Sequence, residues 1–288
     1  MHWNVEQILW ALVLAGHLVL LVVLLGRDRI HRFPWFTAAI CVSTVHLIAD
    51  HLLHGKLTTI AFYWQSYTAV LLDTILGILV LIELARRVFS SCRKGIILNF
   101  KGWLGWTLVT GGLAVGAVWL WGPWPEWTAL TAEPQQTPLL LTVLAALKAQ
   151  LLLAVLTVEI ALLMRIFGKR FGSGWSSHEQ QIALGLSTYS LGFLAVQGTT
   201  DTIKRNLHLT SREQYEHIVR LFSNLDNARF LLWFLVLAWW IVWLWRDDPN
   251  QADAGSSAVE AEAVAKPVPE LPAAMLETDP VADPEPQI

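Results

Sequence analysis

The sequence predicts an all-α membrane protein, a bundle of seven transmembrane helices with the N-terminus outside, the C-terminus cytoplasmic and a disordered acidic tail. Of its 288 residues, 55% are hydrophobic and only 15% are charged. The mean hydropathy of +0.48 is too apolar for an ordinary soluble domain of this length. Seven segments each hold roughly 20 mostly apolar residues, the length a helix needs to cross the hydrocarbon core, and none shows the period-two alternation of a barrel strand. Sixteen tryptophans against four tyrosines gather near the ends of these runs, where amphipathic rings settle at headgroup level.

The first helix, about 6–26, has no Lys or Arg before it and Arg27, Arg29 and Arg32 after it, the reverse of a cleavable secretory signal, so it is expected to stay in the mature chain. Pro34 opens the second, about 34–54. The third, about 62–86, ends in Glu83-Leu84-Ala85-Arg86-Arg87, spaced for local ion pairing at the interface. Glu159 before Arg165 is read in the same way. The fourth, about 104–122, is closed by Gly122-Pro123-Trp124-Pro125, and Pro138 opens the fifth, about 138–164. Ser177-His178-Glu179-Gln180 is a capping box for the sixth, about 179–200. The seventh apolar run covers about 227–246, and a second capping box, Ser211-Arg212-Glu213-Gln214, precedes it. Tyr215, Ile218, Val219, Phe222 and Leu225 then recur at helical spacing over about 211–226. Two arrangements fit this extension: an outer hairpin in which helix seven starts near 212, or a short helix lying on the headgroups.

Residues 1–246 therefore form the transmembrane domain. Twelve basic residues fall on one set of connectors and chain ends, while the opposite short connectors carry only Lys56, which puts the N-terminus outside and the C-terminus in the cytoplasm. The connector at 201–226 carries Lys204, Arg205, Arg212 and Arg220, balanced by Asp201, Glu213, Glu216 and Asp226. Residues 247–288 hold ten acidic residues, the single Lys266 and seven of the twelve prolines, a solvated composition that buries too little to fold. Removing the tail's net −9 from the whole-chain −3 leaves +6 on the membrane body. The two cysteines, Cys41 and Cys92, make no disulfide framework or CxxC site, and no phosphate-binding loop, dinucleotide fingerprint or zinc-finger spacing appears.

Ionisable groups at membrane depth cost roughly 2.5–3.5 kcal/mol each on insertion scales, so each is a functional candidate. His17, His46, Asp73 and Lys148 fall near the middles of helices one, two, three and five, one polar layer shared by four helices. Asp73 and Lys148 are expected to pair, as a relay, the floor of a ligand cavity or a register-fixing ion pair. Gln65, Gln150, Thr188, Tyr189 and Gln197 are further candidates for the lining. The stretch His46-Leu47-Ile48-Ala49-Asp50-His51-Leu52-Leu53-His54 puts four polar groups on one side of helix two. His46 and His54 are ~12 Å apart along the axis, too far to share an ion. His51 and His54 are read as a hydrated outer rim, leaving His46 and Asp50 as the inward pair and the metal candidates.

A haem held between His17 and His46 is geometrically permitted but not distinctive, and no cofactor is expected. Ser43, His46 and Asp73 sit on the helices that carry the zinc site of seven-helix hydrolases related to alkaline ceramidases, but residues 230–245 hold no histidine and so lack the HxxxH pair. The chain resembles instead a group of uncharacterised bacterial seven-helix integral membrane proteins. The resemblance rests on Arg32-Phe33-Pro34-Trp35-Phe36-Thr37, Glu83-Leu84-Ala85-Arg86-Arg87, Trp121-Gly122-Pro123-Trp124-Pro125 and Gly185-Leu186-Ser187-Thr188. It implies topology and no activity.

The sequence thus points to a multi-pass protein of the bacterial inner membrane. The expected function is that of a non-enzymatic sensor or receptor-like bundle or a membrane subunit of a complex, with a proton- or ion-coupled transporter and an intramembrane metal-dependent hydrolase as alternatives. Its partners are the lipid bilayer and, through the acidic tail or outer hairpin, other proteins, with no nucleic acid.

Overall fold

The structure, a computed structural model, describes residues 5–53, 55–90, 100–121, 137–170, 178–206 and 212–247, with side chains over the same ranges except 88–90, 100–108 and 166–170. Seven helices follow one another: α1 (Val5–Gly26), α2 (Pro34–Leu53), α3 (Thr59–Ser90), α4 (Phe100–Leu120), α5 (Thr137–Arg170), α6 (His178–Arg205) and α7 (Arg212–Trp245). Among the described residues there is no strand. The chain beyond Asp247, and with it nearly all of the acidic tail, lies outside the described residues. So do Ser177, Ser211 and His54.

Local chemistry sets the helix ends. The last turn of α1 closes with Asp28 at a φ of 51°, donating its N–H to Leu25 O while the Arg29 N–H reaches Leu24 O at 2.8 Å. This is the left-handed termination in which a short polar side chain substitutes for glycine. Gly55 fills the equivalent left-handed position after α2, at φ 75°. Thr58 caps α3, its Oγ1 accepting from the Ala61 N–H at 3.4 Å.

Five helices are long and apolar enough to cross a membrane: α1, α2, α3 over Thr59–Arg87, α5 over Thr137–Arg165, and α7. The expected count of seven exceeds this for physical reasons. The described apolar part of α4 is short, Val109–Leu120. In α6 the buried face is itself polar and small, with His178, Gln181, Gly185, Ser187 and Ser190 among its buried residues. A helix enclosed by neighbours can spend its inner face on close backbone approach, and its mean hydropathy falls.

The packing is a ring. In order around it run α1, α2, α3, α5, α6 and α7, with α7 closing back onto α1, α3 touching α6 across the middle, and α4 outside against α5. Close approach is needed where α6 meets α7: a Cβ on Gly185 would overlap the Trp240 indole, and one on Gly192 would overlap Leu232. α1 and α7 run parallel, with Gly16 against Leu237 and His17 against Trp233. At that register α7 extends about eleven residues, or ~16 Å, beyond Val5. The outer extension and the seventh span are one uninterrupted helix of 34 residues.

The two ends of the ring differ. One carries the Arg27–Arg32 connector and the C-terminus of α7 and is here called the basic end; the other carries the α2–α3 turn and is called the turn end. The main core occupies the basic half, with Leu20, Leu24, Phe33, Leu84, Ile182, Leu237, Trp240 and Leu244 fully buried.

Candidate functional site

The turn-end half of the ring encloses a cavity of about 370 Å³ to which all six ring helices contribute. Its basic-end floor is aromatic, from Phe36 on α2 and Trp240 on α7, with Trp233 above. Trp240 meets Phe36 and Trp233 edge-on, with ring centroids 5.0 and 5.5 Å apart.

On the α2–α3 wall, His46 stands between two carboxylates. Nδ1 lies 3.1 Å from Asp73 Oδ2 with hydrogen-bond alignment, and Nε2 lies 3.1 Å from Asp50 Oδ2, an ion-pair distance without that alignment. Ser43 Oγ donates to Asp73 Oδ1 at 3.4 Å, and Gln65 Nε2 donates to Asp50 Oδ1 at 2.8 Å. The cluster is local in sequence because Ser43, His46 and Asp50 recur at three- and four-residue spacing on one face of α2, and it is completed by the antiparallel α3. Asp50 is the wetter member, its side chain 37% exposed against 15% for His46.

The predicted residues assemble only in part. His46, Asp50 and Asp73 meet, but Lys148 does not join Asp73. Its Nζ donates to Trp121 O at 2.7 Å and Val118 O at 3.2 Å, at the C-terminal end of α4. The long aliphatic stem carries the ammonium away from the layer where its Cα sits and onto carbonyls at the negative end of a helix dipole. The expected Asp73–Lys148 pair is thus replaced by two separate arrangements. Glu159 likewise makes no ion pair with Arg165 among the described residues, whereas Glu83 does meet Arg87, at 3.5 Å.

His17 lines the cavity with both ring nitrogens engaged: Nδ1 lies 2.8 Å from Val13 O, and Nε2 takes the Trp233 indole N–H at 3.3 Å. The paired imidazoles that a haem requires are not assembled. Metal chelation by His46 and Asp50 fares no better. An ion needs donors converging on one point, whereas the two imidazole nitrogens face two carboxylates in opposite directions, and among the described residues no group of three His, Cys, Asp or Glu side chains is arranged to hold a metal. The hydrolase arrangement also fails on geometry, because Ser43 gives its proton to Asp73 rather than to the imidazole that would have to activate it. His51 stacks on Trp10 at 4.0 Å near the rim, consistent with an interfacial role.

One cavity residue escaped the sequence reading. Arg229 on α7 faces the His46 wall from the opposite side of the ring, its guanidinium 5.8 Å from the Phe193 ring on α6. Tyr189, also on α6, lies within electrostatic reach of both Arg229 and Asp73. The signal was present: Arg229, Trp233, Val236 and Trp240 are spaced by four, three and four, so the arginine shares a face with the cavity tryptophans.

A six-helix ring around a half-polar cavity, inside a bundle rich in membrane-spanning helices, places the chain in the class of helical integral membrane proteins. Comparison with known proteins returns no matching family, no similar curated protein and no similar solved structure. No activity enters by kinship, and the function has to be argued from the cavity.

Proposed function

We propose that the chain is a seven-span, non-enzymatic receptor or sensor-like protein that binds a small molecule in the ring cavity. The observation that supports this reading is the cavity itself: about 370 Å³, walled by six helices, and open to polar groups in one half only. Pockets of this size with an apolar lining and a few convergent polar groups are the usual form of small-molecule sites. α6 counts as a span because its partners α5 and α7 are spans and it is packed between them, and α4 because it runs antiparallel along α5. The basic end, with Arg27, Arg29, Arg32, Arg86, Arg87 and Arg246, is assigned to the cytoplasm by the positive-inside rule, which makes the turn end, and the mouth of the cavity, face outward from a bacterial inner membrane. A reporter on the C-terminus is then active only in the cytoplasm.

Native mass spectrometry of protein extracted gently from its own membranes tests the binding reading. Wild type carries a small molecule at one-to-one stoichiometry, and Ser190→Phe, which fills the cavity from a buried position on α6, does not. An empty wild-type cavity accompanied by a stoichiometric protein partner would replace the receptor reading with that of a complex subunit.

A further inference from the structure

The acidic wall of the cavity is satisfied from within. Both oxygens of Asp73 are engaged, by Ser43 and His46, and both oxygens of Asp50, by Gln65 and His46. The opposite wall is not. Arg229 makes no hydrogen bond and no ion pair with any described residue, and its only close protein contact of a directed kind is the face of Phe193. A guanidinium carries five donors in a planar fork suited to a carboxylate. At membrane depth a cation without a counter-charge is costly, so the wall opposite the carboxylates is short of one negative charge.

Arg229 and Phe193 also line a second space, a groove of about 300 Å³ between α6 and α7 on the turn-end side. Lys204 and Asp226 line it too, with Lys204 over the Phe222 ring at 6.0 Å. Two cations against one carboxylate give the groove a positive field, which draws anions toward the Arg229–Phe193 pair where groove and cavity meet.

We infer that the cavity takes a small amphipathic monocarboxylic acid, its carboxylate held by Arg229 at the junction with the α6–α7 groove and its apolar body lying against Phe230 and Trp233. This rests on the ligand-binding reading above and adds the chemical class. A cationic ligand meets carboxylates already occupied and an arginine that repels it. A neutral one leaves Arg229 uncompensated. A doubly charged head exceeds what one guanidinium neutralises.

The test uses the full chain in nanodiscs of zwitterionic lipid, with empty nanodiscs correcting for partitioning, and three probes that share one body: 4-phenylbutyrate, 4-phenylbutanamide and 4-phenylbutylamine. Calorimetric titration gives the butyrate the tightest binding, at least tenfold over the amine. Arg229→Gln weakens the butyrate at least tenfold and leaves the amide within about twofold, while the ligand-free melting temperature is unchanged because no protein group loses a partner. Arg229→Lys keeps part of the affinity. Lys204→Gln lowers the association rate for the butyrate a few-fold. If the amine binds best, or if Arg229→Gln keeps the butyrate affinity, the assignment of an acid to Arg229 is overturned while the receptor reading survives. If none of the three binds, both are overturned.

Discussion

The two halves of the ring are built on opposite principles. In the basic half, charges are spent on closing the structure. Arg29 Nη2 donates to Arg246 O at 3.3 Å, and His178 Nε2 lies 3.1 and 3.2 Å from Trp243 O and Arg246 O, so two cationic or potentially cationic groups from α1–α2 and α6 sit on the last carbonyls of α7. Arg32 pairs with Glu179 at 2.9 Å, tying the α1–α2 connector to α6. Glu83 on α3 accepts from the Phe36 N–H at 3.3 Å, tying α3 to the first turn of α2. Beneath these contacts lies the aliphatic and aromatic core. In the turn-end half the charges face a cavity instead: His46 bridges two carboxylates, Arg229 has no ionic partner among the described residues, and Asp50 is partly exposed. The half that holds the fold together and the half that is free to meet a ligand share the same helices but not the same residues.

The strongest way to break this comparison is to open the basic half. Trp240 is fully buried, touches Phe36 and Trp233 edge-on and donates its indole N–H to Gln181 O at 3.3 Å. Trp240→Ala is expected to cost about 3 kcal/mol, the low end of the soluble-protein range, because lipid is as apolar as the interior and only packing is lost. Unfolding by SDS in mixed micelles measures it. A loss under about 1 kcal/mol would mean that the basic half is not the structural anchor. The next largest effect is on the cavity wall. Asp73→Asn removes the aligned charge-assisted bond to His46 and is expected to cost about 1.5 kcal/mol by the same assay, whereas Asp50→Asn, at the wetter and misaligned contact, costs about half as much. Equal costs would show that the two carboxylates are interchangeable.

Much of this arrangement is visible in the residue pattern. Seven helices follow from apolar length and from the prolines, glycines and capping residues between them, and the grouping of His46 with Asp50 follows from a four-residue spacing on one helix. Pairings between helices were legible only where both partners were short. His46 and Asp73 have little reach, so helix depth alone brings them together, whereas the depth of the Lys148 Cα says little about where an ammonium on four methylenes arrives. Arg229 was hidden for a related reason. It stands two residues inside an apolar run, where an arginine reads as an interface charge, and only the register of α7 against α1 and α6 places it beside a cavity. The polar inner face of α6 was legible as helix but not as hydropathy, since the cost of its polar groups is met by neighbours that composition does not reveal.

Lys148 sharpens the comparison because it is a turn-end cation used structurally. Lys148→Met keeps the stem and removes the charge from the last carbonyls of α4, with an expected cost of about 1 kcal/mol confined to that helix. Hydrogen exchange then rises over 117–121 and stays constant in α2 and α3. Faster exchange around Asp73 would restore the pairing that the geometry argues against.

The smallest effect belongs to the projecting part of α7. Arg212 and Glu216 form an i, i+4 pair at 3.2 Å with side chains 92% and 55% exposed. Two mobile side chains in high dielectric gain little Coulomb energy and lose rotamer freedom, so Glu216→Gln is expected to change global stability by no more than about 0.5 kcal/mol, and by less still at 0.5 M salt. The extension has no core of its own, because Tyr215 and Val219 are themselves exposed. A loss above about 1 kcal/mol would place this segment in contact with the rest of the ring or with a second molecule, since only a pair withdrawn from water contributes that much. The division of labour would then extend beyond two halves to a third region that is ordered by what it touches outside the bundle.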